Sequence, residues 1–148
     1  MSEIIPLMVR PCFLVIDPEH SGSISTRKLI IETAKFNVIT AYSSREAIDT
    51  LKNFPAVSGV VLDAAIRDMP CTQLVRLLKE VRRGIPVVAV GTPRASHCEG
   101  ADFFLDTFDP ARLLDLLRSL EPEKTAVLAE HERLLDDSEA PVIVPPLP

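Results

Sequence analysis

Two carboxylates stand where strand ends place chemistry. Asp17 directly follows the apolar run Phe13-Leu14-Val15-Ile16, and Asp63 directly follows Val60-Val61-Leu62. Short, continuous apolar runs are the mark of strands buried on both faces, and an acid at the end of such a run sits at the strand-to-loop junction. If the two strands lie side by side in a parallel sheet, their carboxyl ends share one edge, the edge at which open α/β sheets carry their sites. Two acids there make a small pocket suited to phosphate or Mg²⁺ chemistry, because Mg²⁺ takes one or two carboxylates and keeps several waters.

The elements that must position these acids follow from periodicity. Strands are expected near 12-16, 37-42, 58-62, 86-90 and 102-105, each too short to be a helix. Between them run segments of helical period. Ser43-Ser44-Arg45-Glu46 is a capping box, after which Ala47, Ile48, Leu51 and Phe54 share a face. Leu74, Leu77, Leu78 and Val81 form the next stripe, ended by Gly84 before Pro86. Asp109-Pro110 supplies an N-cap and a first-turn proline for the stripe Leu113, Leu114, Leu117 and Leu120, which Pro122 stops. A less regular helix over about 24-35 carries Ile24, Ile30, Ile31 and Ala34. The connection from Val90 to Phe103 is near the minimum for a crossover, and Pro93 and Gly100 shorten any helix in it.

Strands alternating with helices predict a parallel sheet covered on both faces. The expected organisation is an N-terminal extension over 1-11, one α/β domain over 12-120, and a C-terminal segment over 121-148 lying outside the core fold. That segment holds one more amphipathic helix over 123-136, through Val127, Leu128, His131, Leu134 and Leu135, and then an extended proline-rich end over 140-148.

Composition excludes several functions. The chain of 148 residues has 16 basic and 21 acidic side chains, a net charge of -5, and no stretch of Lys and Arg interleaved with aromatics, so direct nucleic-acid binding is not expected. No apolar run approaches the ~20 residues of a spanning helix, and the N-terminus has no charged, apolar leader, so a soluble cytoplasmic protein is expected. Cys12, Cys71 and Cys98 are odd in number and lack metal or redox spacing, which predicts reduced thiols. Phosphate-cradling glycine loops and a nucleophile elbow are both missing, so the chain is not expected to be an enzyme.

With these residues in place, the chain resembles the receiver domain of two-component response regulators, a flavodoxin-like (βα)5 fold. The resemblance covers about 12-120. Val15-Ile16-Asp17-Pro18-Glu19 is similar to the acid pair after the family's first strand, with Pro18 in place of the second acid. Leu62-Asp63, followed by Arg67-Asp68-Met69, is similar to the phosphoacceptor strand and its loop. Gly100-Ala101-Asp102-Phe103-Phe104-Leu105-Asp106-Thr107-Phe108-Asp109-Pro110 looks like the last strand and the start of the last helix.

The resemblance implies that Asp63 accepts a phosphoryl group, that Asp17 and Asp63 hold Mg²⁺ weakly with help from Glu19, and that Thr92 stands near the phosphoryl-binding hydroxyl, displaced by Gly91. It also implies a sensor histidine kinase or phosphotransfer protein as donor, an effector protein as reader, and a homodimer among the contacts. The chain reads as a stand-alone module. It departs from the family where the lysine after strand five is replaced by Asp106. At about 4 Å and an effective dielectric of about 20, exchanging an attractive unit charge for a repulsive one swings the interaction by about 8 kcal/mol before solvent relaxes. The departures at Pro18, Gly91 and Asp106 motivate a second expectation, a pseudo-receiver that binds partners without phosphate. A third is an accessory domain of a larger complex.

Overall fold

The alternation of side chains along the buried strands divides the core in two. The computed structural model describes residues 10–17, 26–91, 98–105 and 109–139. Its strands are β1 (Cys12–Ile16), β2 (Asn37–Ala41), β3 (Gly59–Asp63), β4 (Val87–Val90) and β5 (Phe103–Leu105). All pair in parallel in the order β2-β1-β3-β4-β5. From β1 the chain steps outward to β2 and then returns past β1 to β3, so the winding direction reverses between β1 and β3. That reversal opens a crevice at the carboxyl edge, where this class of sheet places its sites.

Among the described residues the helices are α1 (Thr26–Thr33), α2 (Ser44–Asn53), α3 (Cys71–Val81), α4 (Pro110–Leu120) and α5 (Pro122–Glu139). On one face of the sheet, Leu14, Ile16, Val60, Leu62, Val87 and Ala89 pack against Ala47 and Leu51 of α2 and Leu74, Val75 and Leu78 of α3. On the other, Phe13, Val15, Val61, Val88 and Val90 pack against Ile31 of α1 and Leu113 and Leu117 of α4. The expected doubly wound, flavodoxin-like architecture is therefore present.

Local signals set the helix ends as the residues require. The Ser43 hydroxyl accepts from the Glu46 backbone N–H at 3.1 Å, and the Asp109 carboxylate accepts from those of Ala111 and Arg112 at 3.1 and 3.3 Å. Each satisfies a donor that the first turn leaves open. Gly84, at φ 84°, makes the left-handed turn between α3 and β4 that a residue with a Cβ adopts at a cost. α1 ends at Thr33, two residues before the expected end, and its expected first residues, 24–25, lie outside the described residues. The expected fourth crossover helix and the extended C-terminal end fall on 92–97 and 140–148, outside the described residues.

Two expectations are corrected. The first concerns the thiols: Cys71 and Cys98 form a disulfide, with Cα atoms 5.3 Å apart. Sequence spacing says nothing of this pairing, because the fold itself brings the first turn of α3 against the segment leading to β5. Cys12 keeps its thiol, half-buried, and burial raises it above its ordinary pKa. The second concerns the C-terminal segment. α5 is not outside the core, since Leu128 is buried in the cluster formed with α4. No helix among the described residues is long and apolar enough to cross a membrane.

Candidate functional site

Strand register puts the two acids level with each other. β1 and β3 pair with Val15 opposite Val61 and Ile16 opposite Leu62, so the next residue on each chain is Asp17 and Asp63. Side chains alternate across a sheet, so Asp63 shares a face with Val61, and Asp17 continues the face of Phe13 and Val15. This is the face covered by α1 and α4. Asp17 also prolongs the β1–β2 ladder by donating its N–H to the Ala41 carbonyl at 2.9 Å, and it is 3 % exposed. Both candidate acids thus stand at the carboxyl edge beside the reversal of the winding.

Asp63 is the last residue of β3, one position further along the strand than the expected end. Its carboxylate is engaged at both oxygens. Oδ1 accepts the Ala65 backbone N–H at 2.7 Å, which forms the tight turn leaving the strand. Oδ2 accepts from the Arg27 guanidinium at 2.7 Å, and the two side chains are 17 % and 16 % exposed. Arg27 reaches this position through α1. Ile31 is the helix's buried anchor on the sheet, and Arg27 lies four residues earlier, on the same face and one turn nearer the helix start. Sequence reading passed over Arg27 because it followed only the apolar stripe of that helix. Its i,i+4 spacing from Ile31 was the available signal.

The loop after β3 is fixed at its far end as well. Asp68 accepts from the Ser44 backbone N–H at 2.7 Å and from the Ser44 hydroxyl at 2.6 Å. Its charge therefore sits at the N-terminus of α2, where the helix dipole favours an anion. Ser44 is 1 % exposed, so the contact is sheltered and holds the 64–70 loop against α2. The resemblance had included Asp68 only as part of a loop motif.

Glu19, Thr92 and Asp106 lie outside the described residues. Of the two aromatics in β5, Phe104 is partly buried against the α2–α3 core and Phe103 is 39 % exposed.

The described residues fit Mg²⁺ poorly. They hold no group of three or more His, Cys, Asp or Glu side chains disposed to take a metal. Of the two acids at the edge, Asp63 has both oxygens occupied by N–H donors, and a cation already lies against Oδ2. What the arrangement offers is a half-buried, charge-compensated carboxylate on a rigid strand end, flanked by a second buried acid.

No family model matches the chain, and no curated protein matches it. Solved structures do. A response regulator receiver domain protein from Clostridium thermocellum superposes with a TM-score of 0.66 at 22% identity, covering 79% of this chain and 98% of that one. A CheY-like receiver domain from Methylobacillus flagellatus gives 0.65 at 24% identity over 76% and 99%. The Vibrio cholerae chemotaxis protein CheY4 gives 0.62 at 21% identity over 75% and 98%. With the site and topology above, these likenesses show that the chain has the receiver-domain fold.

Proposed function

We propose that this protein is a receiver module of two-component signalling, with Asp63 as the residue that takes up a phosphoryl group. The donor is a phosphohistidine of a sensor kinase or phosphotransfer protein, and the phosphorylated state is read by an effector through protein contacts. The observation that carries this reading is the level placement of Asp17 and Asp63 on adjacent strands at the carboxyl edge. Asp63 is exposed enough to be reached and fixed enough, by Ala65 and the Asp68–Ser44 tether, for its state to be transmitted to the loop and to α2. In the transfer, the bond from phosphorus to the imidazole nitrogen breaks and one to an Asp63 oxygen forms. The nitrogen keeps the electron pair and the carboxylate becomes an acyl phosphate.

Intact-mass measurement after treatment with acetyl phosphate tests this reading. One added phosphoryl group is expected on the wild type and none on Asp63→Asn. A wild type that stays unlabelled under conditions that label other receivers would overturn it. A second reading, an interaction domain that works without phosphate, is favoured by the Arg27–Asp63 ion pair, which satisfies the acceptor carboxylate at rest. It predicts that Asp63→Asn leaves partner affinity unchanged.

A further inference from the structure

We propose that Arg27 is the resident cation of the Asp63 site: its guanidinium neutralises the carboxylate at rest, clamps the phosphoryl group once transferred, and stands where a divalent metal would otherwise bind. The inference rests on the reading of Asp63 as phosphoacceptor for its second part only. Its first part concerns the resting protein.

Charge and geometry support it together. Arg27 donates to Oδ2 at 2.7 Å, while Oδ1 is held by the Ala65 N–H, so Arg27 occupies the oxygen that the backbone leaves open. Both side chains are more than four-fifths covered, which screens the pair less than a surface salt bridge. A dication placed on the same carboxylate would have to displace the guanidinium or sit beside it at the cost of like-charge repulsion. After transfer the order of attraction reverses. The acyl carbonyl that remains is uncharged, and the phosphoryl group carries close to two negative charges one bond further out. An arginine fork binds two phosphoryl oxygens at once, and this is the contact that Arg27 makes after transfer. With acetyl phosphate as donor the step balances without a proton: the phosphorus–oxygen bond of the donor breaks, acetate leaves with the electron pair, and Asp63 supplies the new bond.

Two measurements on the full chain test the proposal, using the wild type, Arg27→Ala, Arg27→Gln and Arg27→Lys, with circular dichroism to verify that each is folded. The first is Mn²⁺ binding followed by electron paramagnetic resonance. Removing a unit positive charge from beside the carboxylate is expected to tighten Mn²⁺ by ~10-fold in Arg27→Ala and Arg27→Gln, with Arg27→Lys near the wild type. Equal affinities across the series would overturn the proposal. The second is acetyl phosphate labelling with EDTA or with Mg²⁺. The wild type is expected to label to within about twofold in both, and Arg27→Ala to fall by ~10-fold in EDTA. A wild type that labels with Mg²⁺ but not with EDTA would also overturn it. If the wild type labels in neither, the phosphoacceptor reading fails, and the Mn²⁺ series alone decides whether Arg27 holds the cation position.

Discussion

At the scale of single residues, acids brace both edges of the sheet, and the amino edge shows the energetics most directly. Asp102, just before β5, accepts from the Val87 backbone N–H at 2.7 Å and from the Lys79 ammonium at 2.9 Å, while Lys79 also donates to the Ile85 carbonyl at 2.9 Å. One carboxylate thereby ties α3, β4 and the start of β5. Burial works to raise the Asp102 pKa, but the Lys79 ammonium and the Val87 N–H outweigh it and hold the group below its ordinary value. A carboxyl group lowered on folding stabilises the protein above its unfolded value of about 3.9, and that contribution is lost as pH falls through the lower folded value. Asp102→Asn should therefore be less stable than the wild type at neutral pH, and the gap should close on acidification through that window. Urea denaturation from about pH 7 to about pH 3 checks it, and a gap that widens in acid would contradict the assignment. Asp102→Ala leaves the buried Val87 N–H without this acceptor and should cost about 1–3 kcal/mol.

At the scale of elements, the disulfide is the feature with the largest expected effect on stability. It joins the first residue of α3 to the segment before β5 across a sequence separation of 27 residues. Closing a loop of that size in the unfolded chain corresponds to about 3.5 kcal/mol on a chain-entropy account. Cys71→Ser with Cys98→Ser is expected to lose an amount of that order in urea, and reduction of the wild type should lower it toward the double variant. Wild-type protein that alkylates at all of its cysteines without reductant would contradict the bridge. This pair also marks the boundary of what the amino-acid order discloses. The five strands, the Ser43 and Asp109 caps and the edge position of Asp17 and Asp63 were legible, because apolar periodicity and cap chemistry are local properties of a few neighbouring residues. The Cys71–Cys98 and Arg27–Asp63 pairs were not, since each joins elements that only the packed sheet brings together. The Asp68–Ser44 tether is intermediate: both residues drew notice, one for a cap and one for a motif, but their contact is tertiary.

At the scale of the whole molecule, α5 changes what counts as the domain. Five strands with α1 to α4 already cover both sheet faces, yet Leu128 of α5 adds to the face lined by Phe13, Val15, Leu113 and Leu117 and is 4 % exposed. The link between α4 and α5 is the single residue Glu121, whose carbonyl accepts the Thr125 N–H at 2.9 Å, so α5 starts directly beside the end of α4. Val127 and Leu134 of the same helix are exposed, which confines its stabilising contribution largely to the Leu128 side. Replacing a buried leucine by alanine costs about 2–5 kcal/mol through lost transfer energy and the cavity left behind. Leu128→Ala should fall near the low end of that range, because it lies at the margin of the cluster where neighbours can relax. Val127→Ala should be within about 0.5 kcal/mol of the wild type. A chain ending at Leu120 should lose at least as much as Leu128→Ala, with a reduced denaturant slope because less surface is exposed on unfolding. Equilibrium urea curves of the four proteins decide the matter: coincident midpoints for the wild type, the truncated chain and Leu128→Ala would mean that α5 contributes nothing to the fold and that the Leu128 contact is incidental.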